Sequence, residues 1–370
     1  MTSRTALSAP VALILVLAAC TATPSPSASS VPSQSSAATT SAAPSMSPSA
    51  SPTAVPATWS VLAPAGAGPV AREDHTWTAT PDGATAYLFG GRTAAGGALD
   101  DLWAYDLSAD TWRQVDAAGP AARFGHNAAW VDGMGLVVFA GQAGSTFFND
   151  LWAFDPATGS WTRLAATGDV PVSRYGSCAA IGPDGRLWIS HGFTSEGQRF
   201  ADTVAYDFTT NAWTDQTPVG DLPVSRCLHG CWWTDAGDFI LYAGQTTGVT
   251  ALGDLWQLTV GPRPGTNAWA RVAPFGGLPP DRNLYAAARW GAGTIVFGGQ
   301  GIDDGLLSDA WWLEDGTGAA TLVVAGDSGP AGRYGAEMIA DPLRGRVLLF
   351  GGTTASAAFG DLWQLTLADR

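Results

Sequence analysis

The phrase Pro-x-x-Arg occurs six times along the chain, as Pro69/Arg72, Pro120/Arg123, Pro171/Arg174, Pro223/Arg226, Pro279/Arg282 and Pro330/Arg333. The intervals between successive arginines are 51, 51, 52, 56 and 51 residues. A regular period of this length restricts a chain to stacked copies of one supersecondary unit, because a single unit cannot bury its apolar face alone. Inside each unit the order is constant. After the arginine a run ends at a turn such as PDG (81–83, 183–185) or VDG (131–133). An apolar run ending in glycine follows: YLFGG, VVFAG, WISHG, LYAG, IVFGG or LLFGG. Then comes a phrase of the type DLWAYD, and last a short segment containing Trp112, Trp161, Trp213 or Trp269.

Each of the four segments is short, rich in β-branched or aromatic residues, and bounded by Gly, Pro, Asp or Asn, so each reads as a strand. No stretch sustains an apolar period of 3.6 residues over the length of a helix. Four antiparallel strands repeated six times predict an all-β, six-bladed propeller. The last unit ends at Arg370 without its fourth strand, whereas ATWSVLAP (57–64) stands before the first arginine. Trp59 precedes Arg72 by 13 residues, as Trp161, Trp213 and Trp269 precede Arg174, Arg226 and Arg282. Residues 57–64 are therefore expected to serve as the outer strand of the last blade and to close the ring, which removes an open seam.

The glycine doublet, the Asp-Leu-Trp phrase and the later Trp at this period resemble Kelch repeats over residues 57–370. Unit 3 departs, with Ser190-His191-Gly192 and Asp202-Thr203-Val204, and unit 5 has Ala320 where the last Trp should stand. Ten of the 17 Trp fall in two repeat columns, 103, 152, 256, 311, 363 and 59, 112, 161, 213, 269. Periodic aromatics of this kind are expected between blades. The Asp before each Leu-Trp is expected to be a turn or backbone acceptor rather than an acid catalyst.

The chain before residue 57 has a different composition. Residues 1–20 carry one Arg, an apolar run and then small residues, the layout of an export signal. Leu17-Ala18-Ala19-Cys20 resembles the lipobox of bacterial lipoproteins, which implies cleavage before Cys20 and lipid on that residue. Residues 21–56 are almost wholly Ser, Thr, Ala and Pro without charge, too little apolar surface to offset the entropy of ordering, and read as a disordered stalk. An export signal, a stalk and a propeller together predict a protein held outside the cytoplasm by its lipid. The net charge of −14, with 18 basic residues that are all Arg, argues against a nucleic-acid partner.

In a four-stranded antiparallel blade the loops that enter strand A and those that join strands B and C emerge on one face. This face should carry Arg72, Arg123, Arg174, Arg226, Arg282 and Arg333, together with Arg92, Gln142, Phe193, Gln245, Gln300 and Thr353 just after the glycines. Guanidinium suits carboxylate, sulfate or phosphate, so a channel mouth ringed by these side chains is a candidate ligand site. The same regularity also fits a structural role, each arginine holding its loop to a blade. Residues that break the repeat on this face are more informative: Glu196, Arg199, Phe147, Phe148, Asp303 and Asp304, with Phe124, Tyr175 and Tyr334 beside the arginines. The expected role is non-catalytic recognition of a glycan, peptide or protein by a monomeric module without metal or cofactor.

Two enzymes within the resemblance set the alternatives. Galactose oxidase and its relatives hold copper through two tyrosines and two histidines. This chain has His75, His126, His191 and His229, three of them at the same repeat position and without the spacing of a metal site. Sialic acid mutarotase is a six-bladed Kelch propeller, and likeness to it implies Glu196 as acid/base with Arg174, Arg199 or Arg226 clamping the sugar carboxylate. Of the cysteines beyond Cys20, Cys178 and Cys231 lie four and five residues after their arginines, in neighbouring first strands and with opposite parity. A disulfide between them is expected, leaving Cys227 free.

Overall fold

A computed structural model describes residues 57–263 and 265–367. The expected signal peptide, Cys20 and the 21–56 stalk lie outside the described residues. The rest is the predicted six-bladed propeller. The first blade shows the pattern, with strand A at Thr76–Ala79, B at Thr85–Phe89, C at Leu102–Asp106 and D at Thr111–Val115, paired antiparallel in that order. Blade 2 repeats it with Asn127–Val131, Gly135–Phe139, Leu151–Asp155 and Ser160–Leu164. Blade 3 adds a fifth strand that the sequence did not announce: Thr167–Gly168 runs parallel to Ala212–Asp215 on the outer edge. In blade 4 the B and C strands lengthen to Phe239–Thr246 and Val249–Thr259, a hairpin rather than a loop.

The ring closes where expected, although the closing strand is shorter than the eight residues proposed. Ala57–Leu62 pairs antiparallel with Leu362–Leu367 and becomes the outer strand of blade 6. Trp59 packs against Phe297 of blade 5 with ring centroids 5.2 Å apart. Trp112, Trp161 and Trp213 reach the preceding blade in the same way, onto Phe350, Phe89 and Phe139. This column is interblade core, as its period implied.

The B strands are buried on both faces, which explains why they read as continuous apolar runs. Within Thr85–Phe89, Ala86 and Leu88 pack against Leu348 and Phe350 of blade 6. Tyr87 and Phe89 pack against Leu136 and Val138 of blade 2. Six such clusters, one at each blade boundary, take the place of a single central core.

At the inner end of the blades the backbone makes a closed circuit. The second residue after each repeat arginine has positive φ: Asp74, Gly125, Gly176, Leu228, Leu284 and Gly335. Each donates its N–H to the carbonyl of its counterpart one blade back, from Gly125 to Asp74 (2.8 Å) and onward round to Asp74 donating to Gly335 (2.8 Å). Six backbone hydrogen bonds of 2.7–3.0 Å thus link all blades through main-chain atoms alone. At Gly335 a Cβ would also lie 2.7 Å from Asp74 Oδ1, so the Asp74 carboxyl would have to shift to admit a side chain.

Candidate functional site

The six repeat arginines are not displayed at the mouth. Arg72, Arg123, Arg174, Arg226, Arg282 and Arg333 are buried. Each donates Nε–H to the carbonyl two residues earlier, as Arg72 does to Val70 at 3.0 Å. Each donates Nη1–H to the carbonyl at the end of its own B strand, from Gly90 in blade 1 to Gly351 in blade 6. Each then forms a two-pronged pair with the Asp of the Asp-Leu-Trp column at 2.6–3.1 Å: Asp101, Asp150, Asp202, Asp254, Asp309 and Asp361. Phenyl rings cover three of the guanidinium planes, Phe148 over Arg123, Phe200 over Arg174 and Phe359 over Arg333. Most of the donor fork is spent inside the blade, so these arginines hold their loops to the blade and do not ring the mouth.

The aspartates expected to cap turns are instead the ion-pair partners of these arginines. Asp101, Asp150, Asp254 and Asp361 also accept the indole N–H of the Trp two residues on, at 2.7–2.8 Å. Burial raises these four carboxyls, but the arginine's hydrogen bonds and charge, with the indole N–H, outweigh it and hold them below the usual carboxylate range.

The two columns expected to share a face do so. Isolated backbone bridges join Glu73 to Arg92, Phe124 to Gln142, Tyr175 to Phe193, Cys227 to Gln245 and Asn283 to Gln300, and strand pairing joins Tyr334 to Thr353. Side chains that break the repeat gather on one arc of this face. Arg92 lies over Phe124 (4.6 Å), which meets Tyr175 edge-on (5.6 Å). Tyr175 meets Phe193, and Phe193 meets Phe147, each at 5.6 Å. Arg199 lies 6.0 Å from the Phe193 ring and donates to Thr247 Oγ1 of the blade 4 hairpin (3.2 Å). Gln142 and Gln300 are held locally, to the Gly144 carbonyl and to Asp304 Oδ1. Gln245 Oε1 faces the buried Cys227 thiol at 3.8 Å. Tyr334 is partly buried, and Glu196 and Asp303 are exposed on turns at positive φ.

Three acidic residues at the join of blades 6 and 1 escaped the sequence reading: Glu73, Asp74 and Glu337. Arg92 bonds Glu73 Oε1 (2.9 Å) and lies 3.6 Å from Asp74 Oδ2, which also accepts the Tyr175 hydroxyl (2.9 Å). Burial, then the charge of Asp74, raises Glu73 to about 7 against the pull of Arg92. Burial, again with Asp74, raises Glu337 to about 8. A signal did exist. Asp74 occupies a column otherwise Gly or Leu, and Glu337 one otherwise Thr, Asn, Cys, Gly or Ala.

Of the three arginines assigned to clamp a sugar carboxylate, Arg174 and Arg226 are buried and paired, while Arg199 lies with the exposed Glu196 on the same loop of blade 3. The four histidines are buried, and burial first, with neighbouring arginine charge, holds them neutral, His126 and His191 at about 3. His75 and His126 pack edge-on against Phe350 and Phe89 of the preceding blades. Among the described residues no group of three His, Cys, Asp or Glu side chains is placed to hold a metal ion. Cys178 and Cys231 are joined as a disulfide with Cα atoms 5.7 Å apart, linking the first strands of blades 3 and 4.

A closed ring of six antiparallel blades, each clamped by its own arginine, defines a β-propeller. The chain belongs to the Kelch-repeat family, since residues 53–240 match the KLHDC2/KLHL20/DRC7 Kelch-repeats domain. It is similar to acyl-CoA-binding domain-containing protein 4 of Arabidopsis thaliana, 34% identical over 171 residues that cover 45% of this chain and 25% of that protein. It is also similar to human Kelch domain-containing protein 3, 28% identical over 261 residues that cover 65% of this chain and 66% of that protein. The chain thus spans only a quarter of the length of the first of these relatives.

Proposed function

We propose that this protein is a recognition module held outside the cytoplasmic membrane by lipid on Cys20, with residues 21–56 as its stalk, and that it binds a glycan, peptide or protein at the propeller mouth. The observation that carries this reading is the distribution of side chains on one face. Repeated polar groups there are consumed by the fold, while unrepeated side chains form a continuous arc in which Arg92, Phe193, Phe147 and Arg199 reach the surface over the buried rings of Phe124 and Tyr175. Aromatic edges with flanking guanidinium suit the ring faces of sugars and the side chains of peptides. A rigid ring that displays loops limits the ordering cost of binding.

Crosslinking on intact cells that express the full chain, compared with Phe193→Ala and Arg199→Ala, tests the site. Capture of a partner by the parent protein, lost in both variants at unchanged melting temperature, supports it. Capture that survives both places the interface elsewhere. Incorporation of radiolabelled palmitate, abolished by Cys20→Ser, tests the anchor separately.

A further inference from the structure

The two faces of the ring differ in what they expose. Nine of the twelve large hydrophobic side chains that stand exposed among the described residues lie on the connections that enter strand A or join strands B and C, and only Leu343 lies on the opposite face. A single exposed aliphatic residue needs no explanation, whereas a face that collects them marks an interaction surface. Three of them form a row away from the aromatic arc, where blades 4, 5 and 6 meet. The turn Ile302–Asp304 of blade 5 lies against the strand Val249–Thr259 of blade 4. Asn283 Nδ2 ties these two blades together by donating to the Thr250 carbonyl (2.6 Å). On the other side Leu306 lies over Gly332 of blade 6, where a Cβ would come within 3.1 Å of the leucine Cβ. Val249, Ile302 and Leu306 are 44, 62 and 38% exposed, so the row turns its aliphatic surface to solvent rather than to the core.

Charge indicates what covers it. Asp303 and Asp304 stand exposed within the row, and Asp281 lies against Gly253 at its blade 4 end. None of the three has an ion-pair partner among the described residues. Asp304 is held only by a neutral donor, Gln300 Nε2 at 3.0 Å. The clamp arginines of these blades, Arg282 and Arg333, are spent on Asp309 and Asp361. Carboxylates without a cation of their own, set among exposed aliphatic side chains, complement lysine or arginine interspersed with aliphatic residues. They repel an anionic lipid surface or a nucleic acid. A row that crosses three blades suits an extended segment of chain rather than a compact small molecule.

We propose that this row docks an exposed, basic and aliphatic segment of a partner protein, with Val249, Ile302 and Leu306 taking its aliphatic side chains and Asp281, Asp303 and Asp304 its charges. The row is separate from the arc through Phe193 and Arg199, and either can be lost without the other.

Fluorescence anisotropy with the full-length protein tests this. The probes are a labelled short peptide of Leu, Val and Lys, a second in which Ser replaces every Leu and Val, and a third in which Glu replaces every Lys. Saturable binding of the first peptide, with neither of the others binding, is the expected result. Ile302→Ser/Leu306→Ser should weaken it at least about tenfold, the equivalent of about 1.4 kcal/mol. Asp303→Asn/Asp304→Asn should weaken it and reduce its dependence on salt. All four positions are exposed, so both double variants should keep the parent melting temperature. Phe193→Ala should leave binding unchanged. Equal binding of the serine peptide would reduce the interaction to charge and overturn the proposal. Equal binding of the glutamate peptide, undiminished affinity in either double variant, or no binding of the first peptide also overturns it. Loss of binding in Phe193→Ala would move the segment to the arc and overturn it as well.

Discussion

An arginine with no solvent-exposed side chain is tolerable only because its charge is met at short range. Each repeat arginine meets a carboxylate with two prongs and two carbonyls with two further bonds, and the carboxylate itself remains 15–34% exposed. Removing one partner of a buried pair is far more damaging than the net worth of the pair suggests. Arg282→Met should therefore destabilise the protein by about 3–5 kcal/mol in urea unfolding. The double variant Arg282→Met/Asp309→Asn should recover part of that loss, the mark of a coupled pair. Equal losses in the single and double variants would show that the arginine acts through packing alone. This pairing was half legible in the sequence. Arginine and aspartate each recur in all six units, and unit 3 keeps Asp202 while losing the Leu and Trp that follow it. That retention indicated a partner for the charge. Separations of 27–29 residues concealed which one, since only the folded blade brings the two columns together.

Strands and their order were readable because each buried face imposes a period of two and each turn demands its own residues. The fifth strand of blade 3 was not, since Thr167–Gly168 is exposed and pairs through backbone atoms that any sequence supplies. The backbone circuit was hidden for the same reason. Closure by Ala57–Leu62 is the element on which the ring depends, and Trp59 is its anchor, 6% exposed against Phe297. Trp59→Ala should cost about 3–5 kcal/mol, as for other buried aromatics cut to alanine. Deleting residues 57–62 should lower the melting temperature further still. A midpoint unchanged by the deletion would mean that blade 6 stands without its outer strand. The disulfide acts on the unfolded chain instead. Closing a loop between residues 53 apart, it should contribute about 4 kcal/mol. Cys178→Ser/Cys231→Ser should lose this amount in denaturant unfolding, and added reductant should then have no further effect on the variant.

Across the whole molecule, two sets of titrating groups pull stability in opposite directions with pH. Buried histidines have folded pKa values far below 6.5, about 3 for His126 and His191. Below pH 6.5 the unfolded chain takes up protons that the folded ring refuses, so stability falls as pH falls towards 3. The clamp aspartates 101, 150, 254 and 361, held low by their arginines, add to this loss at the acid end. Glu73 and Glu337 act in the opposite sense, since their carboxyls rise from 4.5 to about 7 and about 8. Above pH 4.5 the unfolded chain releases protons that the fold retains, so their contribution declines as pH rises through 8. Melting temperature should therefore peak between about pH 5 and 7 and fall on both sides. Glu337→Gln should flatten the alkaline limb and leave the acid limb unchanged, because the amide has no proton to lose and Glu337 bonds to no other side chain. An alkaline limb equally steep in the variant would assign that slope to the general repulsion of a chain with net charge −14.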